Sequence, residues 1–344
     1  MCEYGFGFIT RARHRKSRLN PGVVMNFDVF NGDADGICAL LQLRLAEPLD
    51  SNLVTGVKRD ISLLNRVHAT AGDRVTVLDI SLDKNRQPLL DLLDRQVEVF
   101  YVDHHQAGEI PEHAKFQALI DTDANVCTSL LVDQYLNRRF SAWAVTAAFG
   151  DNLEVSAMNA AQSLCLTTEQ LESLRRLGIY INYNGYGSNV EDLHFAPDEL
   201  YRLLYGYVSP LDFIAERADV FQKLQDGYDC DMAQAGQTAA EYLTDKVAVF
   251  ILPDAKWARR VSGVWSNDLA NKYTDRAHAV LTHNQQGGYL VSVRAPLNNK
   301  TGADEVCAKF PGGGGRKAAA GINHLSQEDL EVFFKIMEKQ YFFS

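Results

Sequence analysis

A chain of 344 residues, 46% of them hydrophobic, is long enough for two domains with real cores. Its formal net charge of −10 argues against a protein that tracks long nucleic-acid strands, because such affinity comes mainly from Lys and Arg neutralising phosphates. No stretch approaches the roughly 18 consecutive apolar residues of a membrane helix, and the N-terminus lacks the basic-then-apolar order of a signal peptide, so a cytoplasmic protein with no membrane partner is expected.

Residues 1–24 carry Arg11, Arg13, Arg15, Lys16 and Arg18 against one acid, Glu3. They show no helical or strand periodicity and read as a disordered tail or a mis-called start. From Met25 the apolar runs are short and rich in β-branched residues: "MNFDVF", "NLVTGV", "RVTVLDIS", "VEVFYVDHH" and "FQALIDTD". Between them, "ICALLQLRLAE", "NRQPLLDLLDRQ" and "CTSLLVDQYLNRR" have the three-to-four spacing of amphipathic helices. This alternation predicts a parallel sheet flanked by helices.

Between about Ala157 and Thr244 the strand pattern disappears, and "PDELYRLLYGY" and the long segment from "SPLDFIAERADVF" to "AAEYL" read as helical. Strands return as "KVAVFIL", "AHAVLTHN" and "YLVSVRAP", followed by a glycine run and a closing helix "SQEDLEVFFKIMEKQ". The expected α/β organisation is a first domain over 25–215, a helical connector over 216–245 and a smaller α/β domain over 246–344. The cysteines, Cys2, Cys38, Cys127, Cys165, Cys230 and Cys307, form no CxxC pair, which fits reduced thiols better than a disulfide frame or a zinc site.

Chemistry collects at the strand ends. Asp33 and Asp35 follow the first strand, Asp79 ends "RVTVLDIS", Asp103, His104 and His105 end "VEVFYVDHH", and Asp151 follows "AVTAAFG". Singly, an Asp after a strand is more often a helix cap than a ligand, and a His pair is often a polar loop. In open parallel sheets, however, ligands bind beyond the carboxyl ends of the strands, so these segments meet in one crevice. Packed carboxylates repel one another unless cations neutralise them. Carboxylates with imidazole and no thiolate suit Mn²⁺ or Mg²⁺.

The series "NGDADG", "VLDIS", "VDHH" and "GD" is similar in order and spacing to the four motifs of the DHH phosphoesterase superfamily. "VSVRAP" and "GADEVCAKFPGGGGRKAAAGI" resemble DHHA1, its usual companion domain. The resemblance implies two ions, Mn²⁺ or alternatively Mg²⁺: Asp33 and Asp79 at the first, Asp35, Asp79, His104 and Asp151 at the second, with Asp79 bridging. His105 would touch substrate or assist proton transfer, and Asp103 would orient a histidine or complete the metal shell. Arg294, the glycines Gly312, Gly313, Gly314 and Gly315, and Arg316 would hold substrate.

The chain departs from the family at two positions. Asn31 stands where the family usually has a metal-ligating His, and an Asn carbonyl is a poorer ligand for Mn²⁺ than imidazole. Arg316 follows the glycine run where His is common, and Arg can clamp a phosphate bidentately.

Three other features are set aside as structural. "YINYNGYGSN", Tyr180 to Asn189, reads as a surface loop whose tyrosines would alternatively stack on a base. His194 reads as structural. Asp226, Asp229 and Asp231 lack the pattern of a calcium loop and read as a solvated helix face.

The expected function is Mn²⁺-dependent hydrolysis of a small nucleotide phosphodiester or phosphomonoester, such as a short oligonucleotide, a linear dinucleotide or a nucleotide bisphosphate, in the cleft between domains. The rivals are a single-strand-specific exonuclease and a non-catalytic nucleotide-binding regulatory protein. The oligomeric state is not legible, and a homodimer is left open.

Overall fold

The computed structural model describes residues 24–342. The basic segment over residues 1–24 lies outside them but for its last residue. The first part of the chain runs β1 (Asn26–Phe30), α1 (Ala34–Ala46), β2 (Asn52–Val54), β3 (Arg74–Leu78), α2 (Arg86–Asp94), β4 (Glu98–Asp103) and β5 (Phe116–Ile120). All five strands pair in parallel in the order β2-β1-β3-β4-β5. Each strand alternates its side chains between two cores. Phe27, Val29, Val77 and Tyr101 face one, with Leu89 and Leu92 of α2. Phe30, Leu78 and Val102 face the other, with Ile37 and Leu40 of α1.

A helical layer follows: α3 (Thr128–Tyr135), α4 (Ser141–Gly150), α5 (Glu154–Ala161), α6 (Thr168–Asn184), α7 (Pro197–Leu204), α8 (Pro210–Glu216) and α9 (Ala218–Ala235). Trp143 of α4 and Ile181 of α6 complete the α1 core. Helices α4 and α6 approach so closely that a Cβ on Gly178 would lie 2.0 Å from the Thr146 carbonyl oxygen.

The second sheet is mixed. Its elements are β6 (Ala240–Leu243), β7 (Val247–Leu252), α10 (Lys256–Lys272), β8 (Ala277–His283), β9 (Gly288–Arg294), α11 (Ala303–Cys307), β10 (Gly313–Gly315), β11 (Ala319–Ser326) and α12 (Leu330–Tyr341). The strand order is β10-β11-β9-β8-β7-β6, and only β7 and β8 run parallel. Helices α11 and α12 cover one face. Helix α10 covers the other and packs Val261 and Trp265 against Tyr183 and Tyr186 of the first part of the chain.

Several readings of the sequence are corrected. Asp151 does not end a strand; it is the C-cap of α4. The stretch ending "AAEYL" is helical only to Ala235, and Ala240–Leu243 is a strand. "YINYNGYGSN" is not a surface loop, because its first half is the last turn and a half of α6, and Tyr183, Asn184 and Tyr186 are buried. Asp226 and Asp229 are exposed as expected, but Asp231 is buried in an ion pair with Arg260, Oδ2 to Nε 2.9 Å. The Asp231 carboxylate also accepts a hydrogen bond from the Tyr183 hydroxyl at 2.5 Å.

Candidate metal centre and anion pocket

The strand order reverses between β1 and β3, and such a switch point opens a crevice beyond the carboxyl ends of the strands. Asp33 caps α1 there: its Oδ1 accepts from the backbone N–H of Asp35 at 3.0 Å and of Gly36 at 3.1 Å. The capping reading thus holds for one of its oxygens, and the other faces the crevice. Both oxygens of Asp35 accept backbone N–H groups from the start of α3, Thr128 and Ser129, each at 2.7 Å. Asp79 follows β3 with φ 59°, a left-handed conformation that Asp tolerates better than most residues. Its Oδ1 lies 3.2 Å from Thr128 Oγ1 and 3.3 Å from His104 Nε2.

His104 Nδ1 lies 2.7 Å from the Val126 carbonyl oxygen. A carbonyl can only accept, so Nδ1 is a donor and Nε2 is the ring nitrogen left to face the crevice. That nitrogen faces Asp79 Oδ1, Asp35 Oδ2 at 3.9 Å and Asp151 Oδ2 at 4.0 Å. Asp103 Oδ1 accepts from His105 Nδ1 at 2.7 Å, so it orients the second imidazole. Ligand atoms of Asp79, His104 and His105 lie within 4.8 Å of one another. Asn31 donates its Nδ2 to the Lys58 carbonyl at 3.3 Å. Asn31 Oδ1, Asp103 Oδ2 and Asp151 Oδ2 are buried without a hydrogen-bond partner.

These groups perturb one another strongly. Burial, then the neighbouring Asp35 and Asp33 carboxylates, pushes the Asp79 carboxyl well above the usual range, and His105 offsets this only partly. Burial alone would raise Asp151 too, but Arg316 and Lys58, followed by His104 and His105, hold it well below that range. Cys38 and Cys127 lie nearby, but burial and then Asp35 push both thiols up, so neither offers a thiolate. The open donors are therefore carboxylate oxygens and one imidazole nitrogen, which suit a hard or borderline divalent ion. Asp35, Asp79, His104 and Asp151 are the residues that would hold it.

Cations line the opposite wall. A Cβ on Gly32 would come 2.0 Å from the Gly56 carbonyl oxygen, so the loops after β1 and β2 touch and bring Lys58 and Arg59 to the crevice. Lys58 Nζ lies 2.5 Å from Asp33 Oδ2, 2.9 Å from Asn182 Oδ1 and 3.5 Å from Asp151 Oδ1. Arg59 Nη2 donates to Ser292 Oγ on β9 at 2.8 Å. Arg294, ending β9, donates from Nε to Asn267 Oδ1 at 2.6 Å. Arg316 Nη2 reaches to 3.5 Å from Asp151 Oδ2.

Burial disfavours the charge on Arg59 and Arg294, and neighbouring guanidiniums add to the effect, although Tyr186 works against it. Both residues are half-buried, and neither guanidinium forms an ion pair among the described residues, which leaves them able to take an anion. The glycine run is an edge strand and turn: Gly312 has φ 71°, Gly313 to Gly315 form β10, and the Gly313 N–H is committed to the Phe310 carbonyl at 3.0 Å. Its visible effect is to aim Arg316 at Asp151.

Lys58 and Arg59 are not singled out by sequence, and Asn182 and Tyr186 lie in the segment Tyr180 to Asn189 that reads there as a surface loop. The available signal was "VKRD" after a predicted strand of the same sheet, where a basic pair would share the crevice with the acids.

Residues 242–341 match the DHHA1 domain. Structural likeness extends over nearly the whole chain. A crystal structure of exonuclease RecJ bound to manganese matches with TM-score 0.56 and 17% identity, covering 92% of this chain and 89% of that one. RecJ from Thermus thermophilus in complex with Mn²⁺ matches with TM-score 0.60 and 18% identity, covering 92% of this chain and 51% of that one, so this chain spans about half of that protein. The DHH domain of a member of a family of ribosomal proteins matches with TM-score 0.60 and 12% identity, over 92% of this chain and 86% of that one. No curated protein sequence matches. At these identities the likeness establishes the fold alone, and the family model establishes a DHHA1 domain over residues 242–341.

Proposed function

We propose that this chain, a DHH-type protein with a C-terminal DHHA1 domain, is a divalent-metal-dependent phosphoesterase acting on small nucleotide phosphodiesters or phosphomonoesters. The carrying observation is the juxtaposition across one crevice of His104 Nε2, facing three carboxylates within 4.0 Å, with Arg59 and Arg294, half-buried cations that lack an acidic partner among the described residues. Asp35, Asp79, His104 and Asp151 would hold a divalent ion, which would supply Lewis acidity and lower the pKa of a water.

The chain's own groups supply the rest. Val126 and Thr128 fix His104 and Asp79 in place. His105, held by Asp103, lies 3.9 Å from Asp79 Oδ1 through its Nδ1, beside the reacting centre, where its ring can pass a proton to the leaving oxygen. Arg59, Arg294 and Arg316 bind phosphate oxygens and draw negative charge away from the phosphorus.

Mn²⁺ is the expected ion, in keeping with the manganese-bound RecJ structures that share the fold. Single-strand exonuclease activity is the second reading, favoured by the fold likeness to RecJ; the acidic balance of the chain and its short cationic wall favour a short substrate. The purified chain, assayed with Mn²⁺ on mono-, di- and oligonucleotides, tests the proposal. Turnover that falls with substrate length supports it, turnover that rises with strand length supports the exonuclease reading, and binding without hydrolysis leaves a regulatory protein.

A further inference from the structure

We propose that the Lys58 ammonium takes the place of one of two metal ions, so that the crevice works with a single divalent ion and a built-in organic cation. The inference rests on the functional reading above and departs from the pair of ions expected from sequence.

The acidic cluster has two unlike halves. In the half formed by Asp33, no carboxylate oxygen lacks a partner: Oδ1 caps α1, and Oδ2 takes the Lys58 ammonium at 2.5 Å. The ammonium has three N–H donors in a roughly tetrahedral spread, and three oxygens surround it, from Asp33, Asn182 at 2.9 Å and Asp151 at 3.5 Å. In the other half three carboxylates crowd around His104 Nε2, and Asp151 Oδ2, buried without a hydrogen bond, has only the Arg316 guanidinium at 3.5 Å. One half is closed by an ammonium at hydrogen-bond distance, and the other gathers three carboxylates around one imidazole with no cation that close.

The position of Lys58 is fixed by its surroundings. Its backbone N–H donates to the Gly185 carbonyl at 2.8 Å and its own carbonyl accepts from Asn31 Nδ2 at 3.3 Å. Its ammonium also lies 5.5 Å from the centroid of the Tyr186 ring, within cation–π range. Asn31 and Lys58 are thus neighbours through a hydrogen bond, and the two features make one change. Where an imidazole would bring a ligand for a metal, an amide instead holds the segment that delivers an ammonium. An ammonium carries one charge rather than two and cannot acidify a water as a metal does. Lys58 would neutralise Asp33 and attract a phosphoryl oxygen, leaving water activation to the ion beside His104.

The test counts ions. The full chain, stripped with a chelator and then dialysed against Mn²⁺, is expected to bind one ion per chain and to give the electron paramagnetic resonance spectrum of an isolated Mn²⁺. The Asn31→His/Lys58→Ala double variant, folded by circular dichroism, is expected to bind two and to give a spin-coupled spectrum. Two coupled ions in the parent, with nucleotide hydrolysis intact, would overturn the role of Lys58 and leave the proposed function standing. A single ion in both proteins would also overturn it. No ion and no hydrolysis in the parent would sink both readings.

Discussion

Arg316 and Asp151 meet across the crevice, Nη2 to Oδ2 3.5 Å, and they come from opposite domains: one follows an edge strand of the DHHA1 domain, the other caps a helix of the first domain. The acidic wall and the cationic wall are therefore one electrostatic unit. Asp151 lies well below the usual carboxylate range because Arg316 and Lys58 overcome its burial. Separation of the domains would dismantle the site even if each sheet stayed folded.

Asp79→Asn should abolish hydrolysis while the fold survives. Asn tolerates the left-handed backbone that Asp79 adopts at φ 59°, so the change removes charge without adding strain. A fall in kcat of at least about 10³-fold is expected, as for other residues that act as one unit with a catalytic centre. Near-parental turnover at saturating Mn²⁺ would contradict a role for Asp79 at the ion.

Arg294→Ala should weaken substrate binding more than turnover, because its proposed partner is a phosphate away from the reacting atom. A charge-assisted hydrogen bond contributes about 1.5–3 kcal/mol, which corresponds to a rise in KM of roughly tenfold or more. Arg294 also bonds Asn267 at 2.6 Å. A lower Tm with unchanged KM would therefore assign it to the fold.

Mn²⁺ affinity should fall as the pH is lowered, and Mn²⁺ binding should release a proton. The sign follows from Asp79, whose carboxyl is raised well above the usual range by burial and by Asp35 and Asp33. Below its raised pKa the site holds a proton that an ion must displace; above it the carboxylate is free to bind. Calorimetry in buffers of different ionisation enthalpy measures the released proton directly, and a pH-independent affinity would refute the competition.

Asp231→Ala should destabilise the chain by about 3 kcal/mol, because breaking a buried ion pair strands its partner. The abandoned partner is Arg260, 2.9 Å away, and the Tyr183 hydroxyl loses its acceptor as well. Urea denaturation reads the loss. The same change made together with Arg260→Met should recover part of it, which an unrelated packing defect would not.

The sequence by itself determined the strands of the first sheet, because parallel strands buried on both faces must be continuous apolar runs, and "RVTVL" and "EVFYV" are such runs. It also placed Asp33, Asp35, Asp79, Asp103, His104 and His105 at strand ends, but put Asp151 there too, although Asp151 caps a helix. It missed Ala240–Leu243 and Ala319–Ser326, since an edge strand of alternating exposure and a strand opening "AAGI" have weak apolar periodicity. The buried Asp231 escaped for a related reason: a helix-borne acid is marked as buried only by the arginine that meets it from another domain.

Only the tertiary structure decided what the acids face. Lys58 lies 25 residues beyond Asp33 in "VKRD" and looks like an ordinary solvated lysine until the contact of Gly32 with Gly56 and the bond from Lys58 to Gly185 bring it over the carboxylates. Local pattern records how a segment meets its own neighbours along the chain. Charge compensation depends on distance in space, and the distances in this crevice are set by packing between segments that the sequence keeps far apart.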